Sequence, residues 1–121
     1  MLANDQRRWT WPQVRAAKHQ VGILVATLAR TARIRGLGPS IVSVKWFVPD
    51  KRKRDVDSLG PFTKAALDGM VDAGVWPGDD ANWVTEVRMS IDNTQPKQPR
   101  IEIKVVENAT ELARRRDMPA D

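Results

Sequence analysis

An α+β fold is expected for this chain, with a small mixed β-sheet packed against two main helices in a single domain. Three observations predict it. Residues 12–35 and about 58–73 space their apolar side chains at helical intervals. Residues 41–48, 83–91 and 100–106 alternate as strands do. A length of 121 residues with 41% hydrophobic content suffices for one modest core and leaves nothing for a second.

The chain opens with Arg7, Arg8, Trp9 and Trp11, cations mixed with stacking surfaces, which suit either a nucleic-acid contact or a packed N-terminal arm. Pro12 fits the first turn of a helix. Val14, Val21, Leu24, Val25, Leu28 and Ile34 supply its apolar spacing, and Gly36 and Gly38 end it. Arg15, Lys18, Arg30 and Arg33 fall on the polar side, as a solvated face or as phosphate contacts. The lone His19 is read as structural or surface.

Over residues 41–48, Val42, Val44, Trp46 and Val48 make a wholly apolar face expected to meet the helices, opposite Ile41, Ser43, Lys45 and Phe47. Pro49 ends the pairing. A loop then carries Lys51, Arg52, Lys53 and Arg54 straight into Asp55 and Asp57. If the backbone is still extended there, the two carboxylates project to one side, the spacing that a shared cation requires.

The second helix begins near residues 58–61 and reaches Ala73, with Gly74 as its stop. Leu59, Phe62, Ala66, Met70 and Val71 form its core stripe. Lys64, Asp68 and Asp72 stack at i, i+4 and i+8 on the opposite face, where Lys64 can point back toward Asp57. Val75-Trp76-Pro77-Gly78 then turns the chain and delivers Asp79 and Asp80. The strands at 83–91 and 100–106, joined by 92–99, read as an antiparallel hairpin with one wet face. Residues 1–107 form the expected folded unit, and residues 108–121 a basic tail, frayed helix or disordered.

Composition narrows the function. No cysteine means no disulfide and no cysteine-ligated zinc or iron–sulfur site, and a single histidine argues against His-rich zinc. No apolar signal core and no run near the roughly 18 apolar residues of a membrane span are present, so a soluble, cytoplasmic protein without a membrane partner is expected. The net charge of +5 hides an asymmetry: residues 1–54 hold twelve Lys and Arg against Asp5 and Asp50, and residues 55–121 hold eight against thirteen acids. Exposed ion pairs contribute only about 0–1 kcal/mol each, a poor reason to set opposite charges so densely around residues 51–57. Metal-dependent chemistry on a phosphodiester is a better one, because carboxylates hold hard cations and the basic run holds the polyanion.

Residues 49–57, then Lys64-Ala-Ala-Leu-Asp68, Ala73-Gly74-Val75-Trp76 and Asp79-Asp80, resemble the RusA family of Holliday junction resolvases of phages and prophages. Asn4-Asp5 with its nearby arginines is similar to that family's opening motif, and the match covers about residues 4–106. The resemblance implies a RusA-like fold and a homodimeric, Mg²⁺-dependent endodeoxyribonuclease, Mn²⁺ being a substitute ion. Such an enzyme resolves four-way DNA junctions by paired nicks in recombination and repair. It further implies that Asp55, Asp57 and Asp80 are the catalytic metal-binding acids, Asp79 a neighbouring ligand and Lys64 the catalytic lysine. Lys51, Arg52, Lys53 and Arg54, with Arg7 and Arg8, are the expected DNA anchors.

The chain departs from the family pattern in four places. Ser58 stands where the family has Asn, Gly60-Pro61-Phe62 is inserted between Asp57 and Lys64, one extra residue precedes Asp79, and the family's first strand is missing or very short. Two other functions fit the residues: a catalytically silent branched-DNA binder, and an RNA- or protein-binding module whose acids cap helices and pair with the basic run. Convergence of Asp55, Asp57 and Asp80 on one ion separates the enzyme from both. For the homodimer, Trp83 with its strand, or the surroundings of Trp46, are the expected contacts.

Overall fold

The computed structural model describes residues 11–118, with side chains from His19 onward. Asn4, Asp5, Arg7, Arg8 and Trp9, to which the sequence assigns a motif and DNA contacts, lie outside the described residues. The elements run α1 (Trp11–Thr31), β1 (Ser40–Phe47), a 3-10 turn (Val56–Leu59), α2 (Gly60–Asp72), β2 (Val84–Asp92), β3 (Arg100–Glu107) and α3 (Ala109–Arg116). The result is an α+β unit whose three-stranded mixed sheet has the order β2-β1-β3.

β1 takes the centre of the sheet. It pairs in parallel with β2, through the α2 crossover, and antiparallel with β3. The hairpin expected of β2 and β3 therefore does not form. The strand with an unbroken apolar face gains most by being covered on both edges, and the seven residues between β2 and β3 are long enough to pass its end, a span of about 10 Å. Val42, Val44 and Trp46 stand beside Val87, Met89 and Ile91 of β2 and Val105, Ile103 and Ile101 of β3, so one face of the sheet is apolar throughout. On the other face Phe47 is buried beneath the Arg100 guanidinium, 3.8 Å from the ring centre.

α1 ends earlier than its glycines suggest. Arg33 takes the left-handed conformation at φ 57°, Ile34 N–H donates to Ala29 O and Arg33 N–H to Arg30 O, a pair of bonds that caps the helix four residues before the expected end. The same closure recurs at α2, where Gly74 (φ 82°) is the left-handed residue, Val75 N–H donates to Met70 O and Gly74 N–H to Val71 O. Its apolar contact is in place, since Val75 and Met70 are both buried.

The buried side of α1 is Val21, Val25, Ala26 and Ala29, whereas Leu24, Leu28 and Ile34, expected in the core, are exposed. Small residues win that face because α2 comes very close: a Cβ on Gly69 would run into the carbonyl oxygen of Gly22. Phe62, Ala66, Leu67 and Met70 of α2 then pack with Val42, Val44 and Trp76 into the main core. Buried Ser40 ties three segments together, its hydroxyl accepting from Trp76 Nε1 at 3.0 Å and donating to Gly38 O at 2.8 Å, while its carbonyl accepts from Thr85 Oγ1.

Residues 109–116 of the expected basic tail form the helix α3. Asn108 caps it by accepting from Glu111 N–H, Glu111 holds Arg114 and Arg115, and Leu112 lies against Gly38.

Candidate functional site

The loop after β1 is built around Asp50. Its carboxylate accepts from Arg52 N–H at 3.0 Å and stands 2.8 Å from Arg54 Nη2, while Arg54 Nη1 donates to the carbonyls of Asp50 and Arg52. Arg54 is 7% exposed and lies over the Trp46 ring. One of the four expected DNA anchors is thus consumed in folding the loop, and Lys51, Arg52 and Lys53 remain exposed around it. The Arg52 N–H first and the Arg54 guanidinium second hold the Asp50 carboxyl below its ordinary range. Sequence reasoning gave Asp50 no role, though an Asp four residues before an Arg is a visible signal.

Asp55 and Asp57 come next. Asp55 is extended (φ −89°, ψ 131°), but Ser58 bonds back to the Asp55 carbonyl through both N–H, at 3.1 Å, and hydroxyl, at 2.7 Å. That closure curls Val56–Leu59 into the 3-10 turn, so the extended spacing expected of the two acids is lost at Asp57. Both residues are exposed. Among the described residues neither carboxylate joins an ion pair.

Across α2 the picture differs. Gly60-Pro61-Phe62 starts the helix, with Pro61 in its first turn and Phe62 in the core, and the Lys64 ammonium pairs with acids other than Asp57. Lys64 Nζ stands 2.6 Å from Asp79 Oδ2 and 3.0 Å from Asp68 Oδ1. The Asp79 contact first, then Asp68, raises the Lys64 pKa, and the ammonium lowers that of Asp79. Asp80 instead accepts from Asn82 N–H at 2.9 Å, and its carbonyl accepts from Trp83 and Val84, so it opens β2. Lys64, Asp68 and Asp79 are therefore brought together. Among the described residues no three acids or histidines stand close enough to hold one metal ion, so Asp55, Asp57 and Asp80 do not form a ligand cluster in this conformation.

Beside Lys64 runs a groove of about 690 Å³ between α1 and α2, floored by Gly22 and Gly69 and rimmed by Arg30, Lys64, Asp68 and Asp72. His19 also lines it, a position consistent with a surface role. Trp46 is buried and Trp83 half-buried against the core. Among the described residues no helix is long and apolar enough to cross a membrane. No protein-family model matches the chain, and no curated protein matches it.

Proposed function

We propose that this protein is a Mg²⁺-dependent endodeoxyribonuclease of the RusA kind, acting in the cytoplasm on four-way DNA junctions. The observation that carries the reading is the Lys64–Asp79 pair at 2.6 Å: two parts of the resembling motif, fifteen residues apart in sequence, meet in space. The donor chemistry suits the ion, since carboxylate oxygens from few residues are what Mg²⁺ accepts. Asp55, Asp57 and Asp80, with Asp79 beside them, would hold it, and this requires residues 49–59 and the 77–82 turn to approach one another. When bound, Mg²⁺ supplies charge neutralisation at the phosphate and a more acidic attacking water. Lys51, Arg52 and Lys53 hold the backbone of the strand. Lys64, kept charged by Asp68 and Asp79, lays a positive charge beside the Asp79–Asp80 turn.

The homodimer belongs to the same reading. Paired nicks need two sites, this chain carries one copy of the motif, and a closed two-fold pair presents two. Ile23, Leu24 and Leu28 of α1 and Val87 and Met89 of β2 are the exposed apolar surface available for it.

A second reading is a branched-DNA binder that does not cut, a role that the exposed Lys51, Arg52 and Lys53 serve without any metal. A labelled synthetic four-way junction incubated with Mg²⁺ and with chelator separates the two. Paired nicks that require Mg²⁺ support the enzyme. Tight binding without nicks in Mg²⁺ or Mn²⁺ supports the binder, and no binding to junction or duplex refutes both.

A further inference from the structure

The tail helix and the turn after α1 meet at one end of the sheet, and both carry arginines. Gly38 N–H donates to Glu107 Oε2 at 2.9 Å, Asn108 N–H donates to Pro39 O at 2.7 Å, and Leu112 packs on Gly38. Arg33 and Arg35 lie just before that contact, and Arg114, Arg115 and Arg116 follow it on α3. The two segments that meet here carry five arginines against three acids, two of which are already engaged, Glu107 by Gly38 and Glu111 by Arg114 and Arg115.

Stabilisation of a helix C-terminus accounts for cations in the last turn of α3. Arg33 and Arg35 likewise stand just past the C-terminus of α1, where the same attraction applies. Arg33 holds a left-handed backbone conformation that glycine adopts at lower cost. Arg115 donates through Nε to Glu111 at 2.8 Å, which fixes the guanidinium plane and leaves both terminal nitrogens for an oxyanion. Guanidinium groups of this kind recognise phosphate bidentately.

We propose that this arginine surface is a second DNA-backbone contact, separate from Lys51–Lys53. The two surfaces stand at opposite ends of β1, eight residues or about 25 Å apart, roughly the width of a duplex. Asn108 Nδ2 donates to Thr85 Oγ1 at 2.9 Å, which ties the start of α3 to the start of β2. The inference rests on the DNA reading above and extends it to where the second arm lies.

The test is fluorescence anisotropy of a labelled four-way junction in chelator, with salt varied over about 50–200 mM. Arg115→Gln/Arg116→Gln and, independently, Arg33→Gln/Arg35→Gln should each weaken binding at least about threefold and lower the log–log salt slope by about 1–2. Arg115→Lys/Arg116→Lys should restore the slope. Thermal midpoints within a few degrees of wild type show that the fold is kept, and the two pairs sit on separate elements. Wild-type affinity and slope in both Gln pairs, with weakened binding by Lys51→Gln/Lys53→Gln, would overturn this surface alone. Failure of the wild-type protein to bind any junction would overturn the DNA reading itself.

Discussion

Lys64 holds two carboxylates on one ammonium, and its chemistry is set by the partner that is distant in sequence. The Asp68 contact is legible from i, i+4 spacing, whereas Asp79, fifteen residues on, depends on the turn through Pro77 and Gly78. Asp50 was hidden differently: counting four cations in a row conceals that Arg54 turns inward to it. The Asp79 pKa is lowered, so its share of stability is present above the ordinary carboxylate value of 3.8 and is lost as pH falls through the folded value beneath it. The Lys64 pKa is raised, so that share persists below 10.5 and is lost only at higher pH. With both side chains partly exposed the pair contributes at most about 1 kcal/mol. Urea denaturation should accordingly find Asp79→Asn less stable by a constant small margin from about pH 5 to 9, the difference shrinking as pH falls below the ordinary carboxylate value. A margin that grows as pH falls would contradict the assignment. For nicking, Asp55→Asn and Asp80→Asn should each cost about 100-fold or more while junction binding holds, and Asp79→Asn should cost less. A larger loss at Asp79 would exchange the roles of the two neighbours.

At the scale of elements, periodicity located every helix and strand to within a few residues except where closure chemistry decided. Arg33 ended α1 before the glycines because a left-handed residue need not be glycine, and α3 formed because Asn108, Glu111 and the arginines satisfy one another locally. Strand partners were less legible. Alternation tells which residues share a face but not which strand lies between two others, and a seven-residue connection permits either a hairpin or a step over β1. The α1–α2 contact gives a sharp element-level prediction. Gly69→Ala should destabilise by about 1–3 kcal/mol, because its methyl meets the Gly22 backbone rather than a movable side chain. Gly22→Ala, whose Cβ would stand 3.5 Å from the Ala65 carbonyl, should be neutral or stabilising by up to about 1 kcal/mol. Chemical denaturation of both variants checks this, and equal losses would mean that the helices do not cross where Gly22 and Gly69 meet.

For the whole molecule, the α+β class was legible from composition and pattern together, but the distribution of its apolar surface was not. Helical spacing cannot distinguish Leu24 and Leu28 from Val21 and Val25 until the close approach of α2 selects the smaller residues. That selection leaves apolar surface on α1 and β2, and light scattering at micromolar protein should show twice the chain mass. A monomer that still makes paired nicks would refute the two-fold arrangement. The proposed chemistry is tested most directly by a four-way junction labelled on opposed strands and incubated with wild-type or Asp57→Asn protein, in Mg²⁺ or chelator. Symmetric nicks by the wild type in Mg²⁺ alone, and none by Asp57→Asn although it still binds the junction, are the predicted result. Near-normal nicking by Asp57→Asn, or nicking by the wild type in chelator, would contradict it.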